Sequence, residues 1–372
     1  MIYQTKQLKL PTSLQLHFLS REAGVVYSNC LTTFWRIWRK KQIWLSKTSM
    51  QKLIRNTNLH SQTVQGIIDK FYENIKSWRE LKKIMPTAKM PHRRKRYFLI
   101  PYKSSAIRIK NGKLILSNGK NNTPIMLDWN YPLPKTISIS FDNGYKINAV
   151  YATAEPEPLI DGETCGIDLG EIHLAVANTG TKTFILNGKM LRSKRRYQSK
   201  VKAHFAQKLL TCKKGSKRYK KITSRKNKKL KQLNNQIKDI LHKQTTKLVL
   251  TLKKENVKTV AIGDVWNLLK NVEANQRNHQ MLLGRVKLML TYKAKAKGMH
   301  VKIINEAYSS QTCPKCLNLH KTNTRNYNCP NCNFKYHRDG VGAINIRQKQ
   351  KYMEYAPVVG DMTPPIGIRY IP

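Results

Sequence analysis

The decisive stretch of this sequence, Glu306–Asn345, contains E-A-Y-S-S-Q-T-C-P-K-C, then twelve residues, then C-P-N-C, and finally H-R-D-G-V-G-A-I-N. Its cysteines form two C-x-x-C pairs, a spacing that lets four thiolates surround one zinc ion in a tetrahedron. The four are Cys313, Cys316, Cys329 and Cys332. Two disulfides or four unrelated buried cysteines are the alternatives, but two such pairs, each with an internal proline, rarely arise together by chance. The sequence therefore predicts a structural zinc module.

Carboxylates stand on both sides of this module, with Glu306 just before it and Asp339 just after it. Acidic residues are scarce in this chain, which has 20 Asp and Glu against 70 Lys and Arg among 372 residues. Two scarce carboxylates beside a zinc module indicate that the module interrupts an active site.

The charge of the whole chain predicts its partner. A formal net charge of +50 repels itself unless a polyanion neutralises it, and nucleic acid is the natural polyanion. The cations are spread along the chain, which favours an extended nucleic-acid interface; a merely cationic surface is the alternative. The start of the chain lacks the features of a signal or transit peptide, and no apolar run is long enough to span a membrane. The other three cysteines, Cys30, Cys165 and Cys212, are far apart in sequence, which suits a reducing compartment. We therefore expect a soluble intracellular protein.

Hydrophobic periodicity divides the chain into three regions. A short strand and a helical region come first, an all-β unit that we interpret as a small barrel follows, and buried strands then alternate with long helices. Four prolines mark the last segment, which we predict to be disordered. The predicted boundaries are 1–12 for the first strand, 13–90 for the helices, 91–160 for the barrel, 161–311 for the α/β domain, 312–336 for the zinc module, 337–350 for the end of the α/β domain and 351–372 for the tail.

Two segments combine features expected of nucleic-acid-binding helices. F-W-R-I-W-R-K-K-Q-I-W, residues 34–44, interleaves tryptophans with cations, which can stack on bases and meet phosphates. The tryptophans could equally belong to the core, with the cations on a solvated face. Residues 194–231 are strongly basic, and we interpret them as a helix pair that follows phosphates rather than as a solvated face. The candidate nucleic-acid-binding residues are Trp35, Arg36, Arg39, Lys40, Arg195, Arg196, Lys217 and Arg218.

The acidic residues of the α/β region predict a nuclease. Asp168 lies in a leading strand, C-G-I-D-L-G, Asp264 ends a later strand, and Asp339 opens a C-terminal helix. Ribonuclease-H-like nucleases gather carboxylates in this way around two Mg²⁺ ions, one to activate water and one to stabilise the leaving oxygen. The alternative for Asp168 and Asp339 is that each only caps a turn or helix.

These motifs resemble the TnpB family of RNA-guided nucleases, which insertion sequences encode and which are related to type V CRISPR effectors. The resemblance spans nearly the whole chain and rests on G-I-D-L-G, D-I-L-H-K, Y-K-A-K-A-K-G-M-H-V and the stretch from Glu306 onward. It implies an α+β multidomain fold in which a helical recognition lobe is inserted in a wedge β-barrel. A RuvC-like α/β domain of the ribonuclease-H type follows, interrupted by a zinc-binding target-nucleic-acid module.

The resemblance also implies partners and cofactors. It predicts a guide RNA from the transposon end, a DNA target beside a short duplex motif, one structural Zn²⁺ and two catalytic Mg²⁺ ions. It places the protein in the cytoplasm of a prokaryote, at the nucleoid, and leaves open whether the protein is a monomer or a dimer.

One position departs from the family pattern, in which the second catalytic acid is a Glu at the place of Gly263. The adjacent Asp264 cannot simply replace it, because neighbouring strand residues point to opposite faces. Some relatives with this Gly-Asp variant carry a relocated Glu on the strand before the zinc module, which corresponds here to Glu306. The alternative is that Glu306 is an ordinary charge at a strand end. The predicted catalytic and magnesium-binding residues are Asp168, Glu306 and Asp339, with Asp264 in reserve.

Three functions fit these features. The first is a transposon-encoded RNA-guided DNA endonuclease that cuts by two-metal-ion hydrolysis. The second is a nuclease-inactive, RNA-guided DNA-binding protein that acts as a repressor. The third, a DNA-joining transposase that works without RNA, has no separate support in the sequence.

Overall fold

A computed structural model describes residues 2–56, 58–120, 122–142, 144–264, 282–358 and 362–368. The chain divides into two compact units, Met1–Ala154 and Glu155–Pro372. Each unit has its own hydrophobic core. Throughout these described ranges, every helix is too short or too polar to cross a membrane.

Three helices form the centre of the first unit: α1 (Leu14–Lys41), α2 (Lys47–Leu53) and α3 (Ser61–Ile84). The side chain of Ser13 caps α1 by accepting a hydrogen bond from the backbone of Leu16 at 3.2 Å. Apolar residues at helical spacing face inward, and Phe34 and Phe71 meet edge to face with their ring centroids 5.6 Å apart. The predicted periodicity of this region is therefore confirmed by its packing.

In the described part of this unit, one strand precedes these helices in the sequence and six follow them, and the seven strands form two sheets. A four-stranded sheet has the order β1-β7-β6-β2, and a three-stranded sheet has the order β3-β4-β5. A small barrel stays a prediction, because local turn signals specify hairpins but not which strands meet at the ends. The strands are β1 (Ile2–Leu10), β2 (Ile100–Tyr102), β3 (Ile107–Lys110), β4 (Lys113–Leu116), β5 (Ile125–Asp128), β6 (Thr136–Phe141) and β7 (Tyr145–Thr153).

The second unit is built on a six-stranded mixed sheet of order β12-β11-β8-β9-β10-β15. β8, β11 and β12 run parallel, so their carboxyl ends meet at one edge, where open α/β sheets bind ligands. β13 and β14 form a separate ribbon. The strands are β8 (Glu163–Asp168), β9 (His173–Asn178), β10 (Thr183–Asn187), β11 (Val257–Gly263), β12 (His300–Ile304), β13 (Asn326–Asn328), β14 (Lys335–His337) and β15 (Ile366–Ile368).

The described helices of the second unit are α4 (Lys189–Leu210), α5 (Lys217–Lys254), α6 (Leu283–Lys295) and α7 (Arg338–Tyr352). α4 and α5 form an antiparallel hairpin, in which Gln198 Nε2 donates to Asn234 Oδ1 at 2.6 Å. α7 lies so close to β8 that a Cβ atom on Gly166 would come within 2.1 Å of the Ala343 carbonyl oxygen. Only glycine fits this position, and the contact fixes the start of α7 near the end of β8.

The segment 351–372 corrects the prediction of a disordered tail. α7 continues to Tyr352, and Ile366–Ile368 forms β15, which pairs in parallel with Phe184–Leu186 of β10. Four prolines suggested disorder, but the short apolar run I-G-I satisfies the hydrogen bonds of an otherwise open sheet edge. Residues 359–361 and 369–372 of the predicted tail lie outside the described residues.

Candidate active site and metal centre

The two cysteine pairs are built in the same way by the local backbone. In the first pair, the Leu317 N–H donates to the Cys313 carbonyl at 2.9 Å, and in the second the Asn333 N–H donates to the Cys329 carbonyl at 3.0 Å. Leu317 and Asn333 both adopt left-handed backbone angles, with φ of 61° and 57°. Each C-P-x-C turn therefore brings its two thiols to the same side of the chain.

The four thiols fit one zinc ion. The Sγ atoms of Cys313 and Cys332 lie 3.6 Å apart, and those of Cys316 and Cys329 lie 3.5 Å apart. Zinc–sulfur bonds of about 2.3 Å in a tetrahedron place sulfurs about 3.8 Å apart. All four cysteines are free thiols, so the alternative of two disulfides does not hold in this structure. The cluster could hold a metal ion, as the spacing predicted.

All four acids singled out in the sequence line one cavity of about 540 Å³ at the carboxyl edge of the sheet: Asp168, Asp264, Glu306 and Asp339. Asp168 ends β8, Asp264 follows β11, Glu306 lies two residues beyond β12, and Asp339 lies in the first turn of α7. The guanidinium-bearing residues Arg325 and Arg338 line the same cavity. Three parallel strands and one helix thus bring together acids that are far apart in sequence.

Of the four acids in the cavity, Asp168 has the most strongly shifted pKa. Burial raises the pKa of its carboxyl group, and the charges of Glu306 and Asp339 raise it further, to about 8. A Cβ atom on Gly342 would lie 3.0 Å from Asp168 Oδ2, so the second glycine of G-V-G leaves room for this carboxylate. Such a perturbed acid in a cavity is typical of a functional site rather than of a capping residue.

Glu306 occupies the space that a side chain on Gly263 would take. A Cβ atom built on Gly263 would lie 2.4 Å from Glu306 Oε2. This oxygen is buried and has no hydrogen-bond partner among the described residues. Burial raises the pKa of Glu306 and the charge of Asp264 raises it further, to about 7. Glu306 lies just beyond β12, the edge strand of the described sheet, which pairs with β11.

Asp264 lies in the same cavity but has a cationic partner. Lys287 Nζ donates to its Oδ1 at 2.8 Å. The ion pair neutralises the charge of Asp264 within the protein, whereas Glu306 Oε2 has no donor among the residues that the structure describes. Of the two residues considered as the second acid, Glu306 is therefore the one that an added cation would satisfy.

Asp339 has one histidine and two arginine neighbours that the sequence did not single out. Its Oδ2 is 2.9 Å from His173 Nδ1 and 2.6 Å from Arg325 NH1, and its Oδ1 is 3.6 Å from Arg338 Nε. Burial alone would raise the pKa of Asp339, but the hydrogen bond from His173 and these positive charges bring it below its ordinary value. His337 occupies the N-cap position of α7, so Asp339 is not the N-cap residue.

Sequence signals for these partners were weak. Arg338 directly precedes Asp339 and His173 follows Asp168 by five positions, but Arg325 is one arginine among 70 Lys and Arg. One ring nitrogen each of His173 and His337 and one oxygen of Asp339 lie within 4.8 Å of one another. No periodicity or motif predicts these contacts.

One buried amide joins the acidic cavity to the cysteine module. Asn345 Nδ2 donates at 2.7 Å both to the Ser309 carbonyl and to the Thr312 carbonyl. These two carbonyls belong to the segment between Glu306 and Cys313. The asparagine of A-I-N-I therefore anchors the segment that carries Glu306 to the helix that carries Asp339.

The candidate nucleic-acid-binding residues fall into two groups. Trp35, Arg36, Arg39 and Lys40 line one pocket of the first unit. In the second unit, Arg195 is half-buried and donates to Gln198 at 2.6 Å, and Arg196 is exposed nearby. Lys217 and Arg218 begin α5, beside the turn of the α4–α5 hairpin, and are exposed. The structure thus gathers the first four residues and separates the other four along the hairpin.

Comparisons with known proteins agree with this architecture. A family model described as a probable transposase matches residues 148–268, and one described as a Cas12f1-like TNB domain matches residues 284–346. A TnpB-like protein of Methanocaldococcus jannaschii is 31% identical over 121 residues, which cover 31% of this chain and 43% of the relative. The match therefore spans less than half of that relative's length.

Two solved structures share the mixed α/β fold. The Cas12f1–sgRNA–target DNA complex matches with a TM-score of 0.66 at 14% identity, covering 90% of this chain and 82% of the other. The mini-RNA-guided endonuclease CRISPR-Cas phi3 matches with a TM-score of 0.56 at 10% identity, covering 97% and 94%. With the family models and the archaeal relative, these matches show that parts of the chain are similar to transposase and TnpB-like proteins, and that its fold is shared with these two structures.

Proposed function

We propose that this protein is an RNA-guided DNA endonuclease, and that the sheet of its second unit is a RuvC-like nuclease domain acting at the acidic cavity. The observation that carries this proposal is the carboxylate of Glu306 in the space left by Gly263. Its Oε2 is buried without a partner among the described residues, which is costly for a polar atom. A bound divalent cation would remove this cost.

The donor set fits Mg²⁺, which prefers carboxylate oxygens. Asp168, Glu306 and Asp339 would hold the ions, and Asp168 would be the shared ligand, since its pKa responds to both other acids. Bound there, a pair of Mg²⁺ ions would activate water and neutralise the leaving oxygen of a phosphodiester. Arg325 and Arg338 line the same cavity and present guanidinium groups, which suit phosphate oxygens.

The proposed partners are a guide RNA and a DNA target. The net charge of +50 requires a polyanion, and the matching Cas12f1 structure is a complex with guide RNA and target DNA. The exposed cations of the α4–α5 hairpin would contact sugar–phosphate backbones rather than bases. The cysteine module would hold a structural zinc ion.

Cleavage of a plasmid that carries the guide-matched target tests the proposal, with protein co-expressed with the RNA that flanks its gene. We expect Mg²⁺-dependent cutting that Asp168→Asn and Glu306→Gln each reduce by about 10²-fold or more. Glu163→Gln is the matched control, because Glu163 is an exposed acid at the start of β8. Cutting that survives Glu306→Gln and disappears in Asp264→Asn would move the second acid to Asp264.

A specific observation favours the guided repressor as the second candidate. Asp339 is paired with Arg325 and His173, and Asp264 with Lys287, so protein cations already neutralise two of the four acids. If these pairs persist on the target, the site lacks metal ligands. Tight, RNA-dependent target binding without cutting at any Mg²⁺ concentration would establish this reading.

A further inference from the structure

A strongly basic segment lies along α1 in the first unit. Residues 91–98, P-H-R-R-K-R-Y-F, follow the helix in the opposite direction as an irregular strap. A Cβ atom on Gly24 would come within 2.6 Å of the Arg96 carbonyl oxygen, so the two backbones touch. Three hydrogen bonds fix the register of the strap: Phe98 N to Ser20 O at 2.9 Å, Lys95 N to Ser28 Oγ at 3.0 Å and Trp35 Nε1 to Pro91 O at 3.3 Å.

A pocket of about 490 Å³ lies between this strap and the last turns of α1. The helix contributes Thr32, Trp35, Arg36, Arg39 and Lys40, which recur at the three- and four-residue spacing of one helix face. The strap contributes His92 and Arg94. The pocket therefore has walls from two segments that are held together by hydrogen bonds, and its shape does not depend on a single mobile side chain.

The cations of this pocket have no acidic partners in the part of the chain that the structure describes. The ion pairs of the first unit involve Lys47, Lys70, Lys83 and Lys103, and none involves Arg36, Arg39, Lys40 or Arg94. All four of these side chains are exposed at the pocket. Cations near a helix C-terminus favour the helix dipole, but that effect does not explain the basic residues of the strap.

Trp35 gives the pocket an aromatic wall of fixed orientation. Its ring packs against the core on one side, and its Nε1 is tied to the Pro91 carbonyl. The Arg39 guanidinium lies 5.2 Å from the ring centroid, and the ring of Trp38 meets it edge-on at 5.6 Å. A rigid indole next to guanidinium groups that have no acidic partner among the described residues is suited to a base with its phosphate.

We propose that this pocket binds one unpaired nucleotide of a single strand, with its base beside Trp35 and its phosphate on Arg36, Arg39 and Arg94. The volume agrees with small-ligand sites, and a concave pocket cannot admit a rigid duplex, which would contact only the rim. The inference rests on the proposed function in one respect, because a guided nuclease handles single-stranded nucleic acid. RNA and DNA both offer a base and a phosphate, so a nucleotide of either one has the groups that this pocket binds.

Photocrosslinking of the native full-length protein tests the position of the base. A strand of about ten nucleotides containing 5-iodouracil is irradiated with the zinc-loaded protein, without Mg²⁺, in separate RNA and DNA arms. We expect the crosslink on Trp35, in the tryptic peptide 22–36, and we expect excess unlabelled single strand, but not duplex, to compete. Crosslinks confined to other peptides would overturn the proposal. The arm that gives more crosslinking at Trp35 shows whether RNA or DNA supplies the nucleotide.

Affinity measurements on paired charge variants test the phosphate contacts. At fixed salt, we expect Arg36→Gln/Arg94→Gln to weaken single-strand binding about tenfold. The control Lys110→Gln/Lys113→Gln removes the same charge from exposed cross-strand neighbours of β3 and β4 and should change it less than twofold. Equal losses in both double variants would show general electrostatic attraction and refute the pocket. Neither readout needs cleavage, so an inactive nuclease site would leave both intact.

Discussion

The cysteine module and the acidic cavity are both sets of metal-ligand candidates, but they are assembled in different ways. Each cysteine pair is shaped by hydrogen bonds within its own short turn, and the two turns repeat the same geometry. The acids of the cavity come from the ends of three strands and the start of a helix. The module therefore depends on local backbone, whereas the cavity depends on how distant segments pack.

The two regions also differ in how they carry charge before any ion is bound. In the cysteine module, the distances between the Sγ atoms already suit zinc. In the cavity, Asp339 and Asp264 have cationic partners, whereas burial and repulsion raise the pKa of Asp168 and Glu306. The module is thus preset for its metal, and the cavity is only partly preset.

The largest effect is expected from a single change in the module. Cys313→Ser removes one of four thiolate ligands, and structural zinc sites contribute about 10–16 kcal/mol to folding in isolated peptides. We expect bound zinc to fall from about one ion per chain to near zero, as measured by elemental analysis. Cys212→Ser changes a cysteine outside the cluster and serves as the control. Full zinc retention in Cys313→Ser would show that the thiols do not act as one site.

The next largest effect is expected where the cavity depends on missing volume. Gly263→Ala places a methyl group 2.4 Å from Glu306 Oε2 and 2.9 Å from the Cδ1 of Ile346, so the carboxylate must move. We expect Mn²⁺ affinity to fall about 10- to 100-fold, by calorimetry. Gly284→Ala, which meets nothing within 4 Å on α6, is the matched control and should bind normally.

An exchange of the two positions sharpens this test. Gly263→Glu combined with Glu306→Ala returns the carboxylate to the strand position that the family resemblance implies. Since both side chains would use the same space, we expect the double variant to recover part of the affinity that Glu306→Ala loses. A double variant no better than Glu306→Ala would show that the backbone of β11 no longer aims a side chain at the site.

A smaller effect is expected from pH. The raised pKa values, about 7 for Glu306 and about 8 for Asp168, mean that both acids are protonated below pH 7 when no metal is bound. Cation binding must release these protons, so Mn²⁺ affinity should rise with pH, by about tenfold for each proton released per pH unit. It should level off above about pH 8. Glu306→Gln should flatten the profile below pH 7, and an unchanged slope would contradict the assignment.

The smallest effect is expected at the contact between the module and the cavity. Arg325 lies between the two cysteine pairs, and its guanidinium is 2.6 Å from Asp339 Oδ2, where it opposes a second cation. Arg325→Gln should raise Mn²⁺ affinity about two- to fivefold in protein free of nucleic acid. Lys321→Gln removes an exposed charge from the same module and is the control. Weaker binding in Arg325→Gln would mean that the arginine orients Asp339 instead.

Much of this architecture follows from sequence patterns because the responsible forces are short-ranged. Alternation and helical spacing located the strands around Asp168 and Asp264 and the long basic helices, and the cysteine spacing located the module. The prediction of a disordered tail was wrong at β15, and barrel closure stays a prediction, because edge pairing depends on partners far away in the chain. β15, for example, forms only because β10 presents an open edge to it.

The sequence by itself therefore determined which residues are candidates for the chemistry: two cysteine pairs, a small set of carboxylates and a large excess of cations. Only the tertiary structure decided how these residues are used. It placed Glu306 in the volume left by Gly263, paired Asp264 with Lys287 and Asp339 with Arg325 and His173, and folded the strap against Trp35. The reason is physical: a turn is fixed by its own hydrogen bonds, whereas buried space and ion pairs belong to segments that meet only when the chain has folded.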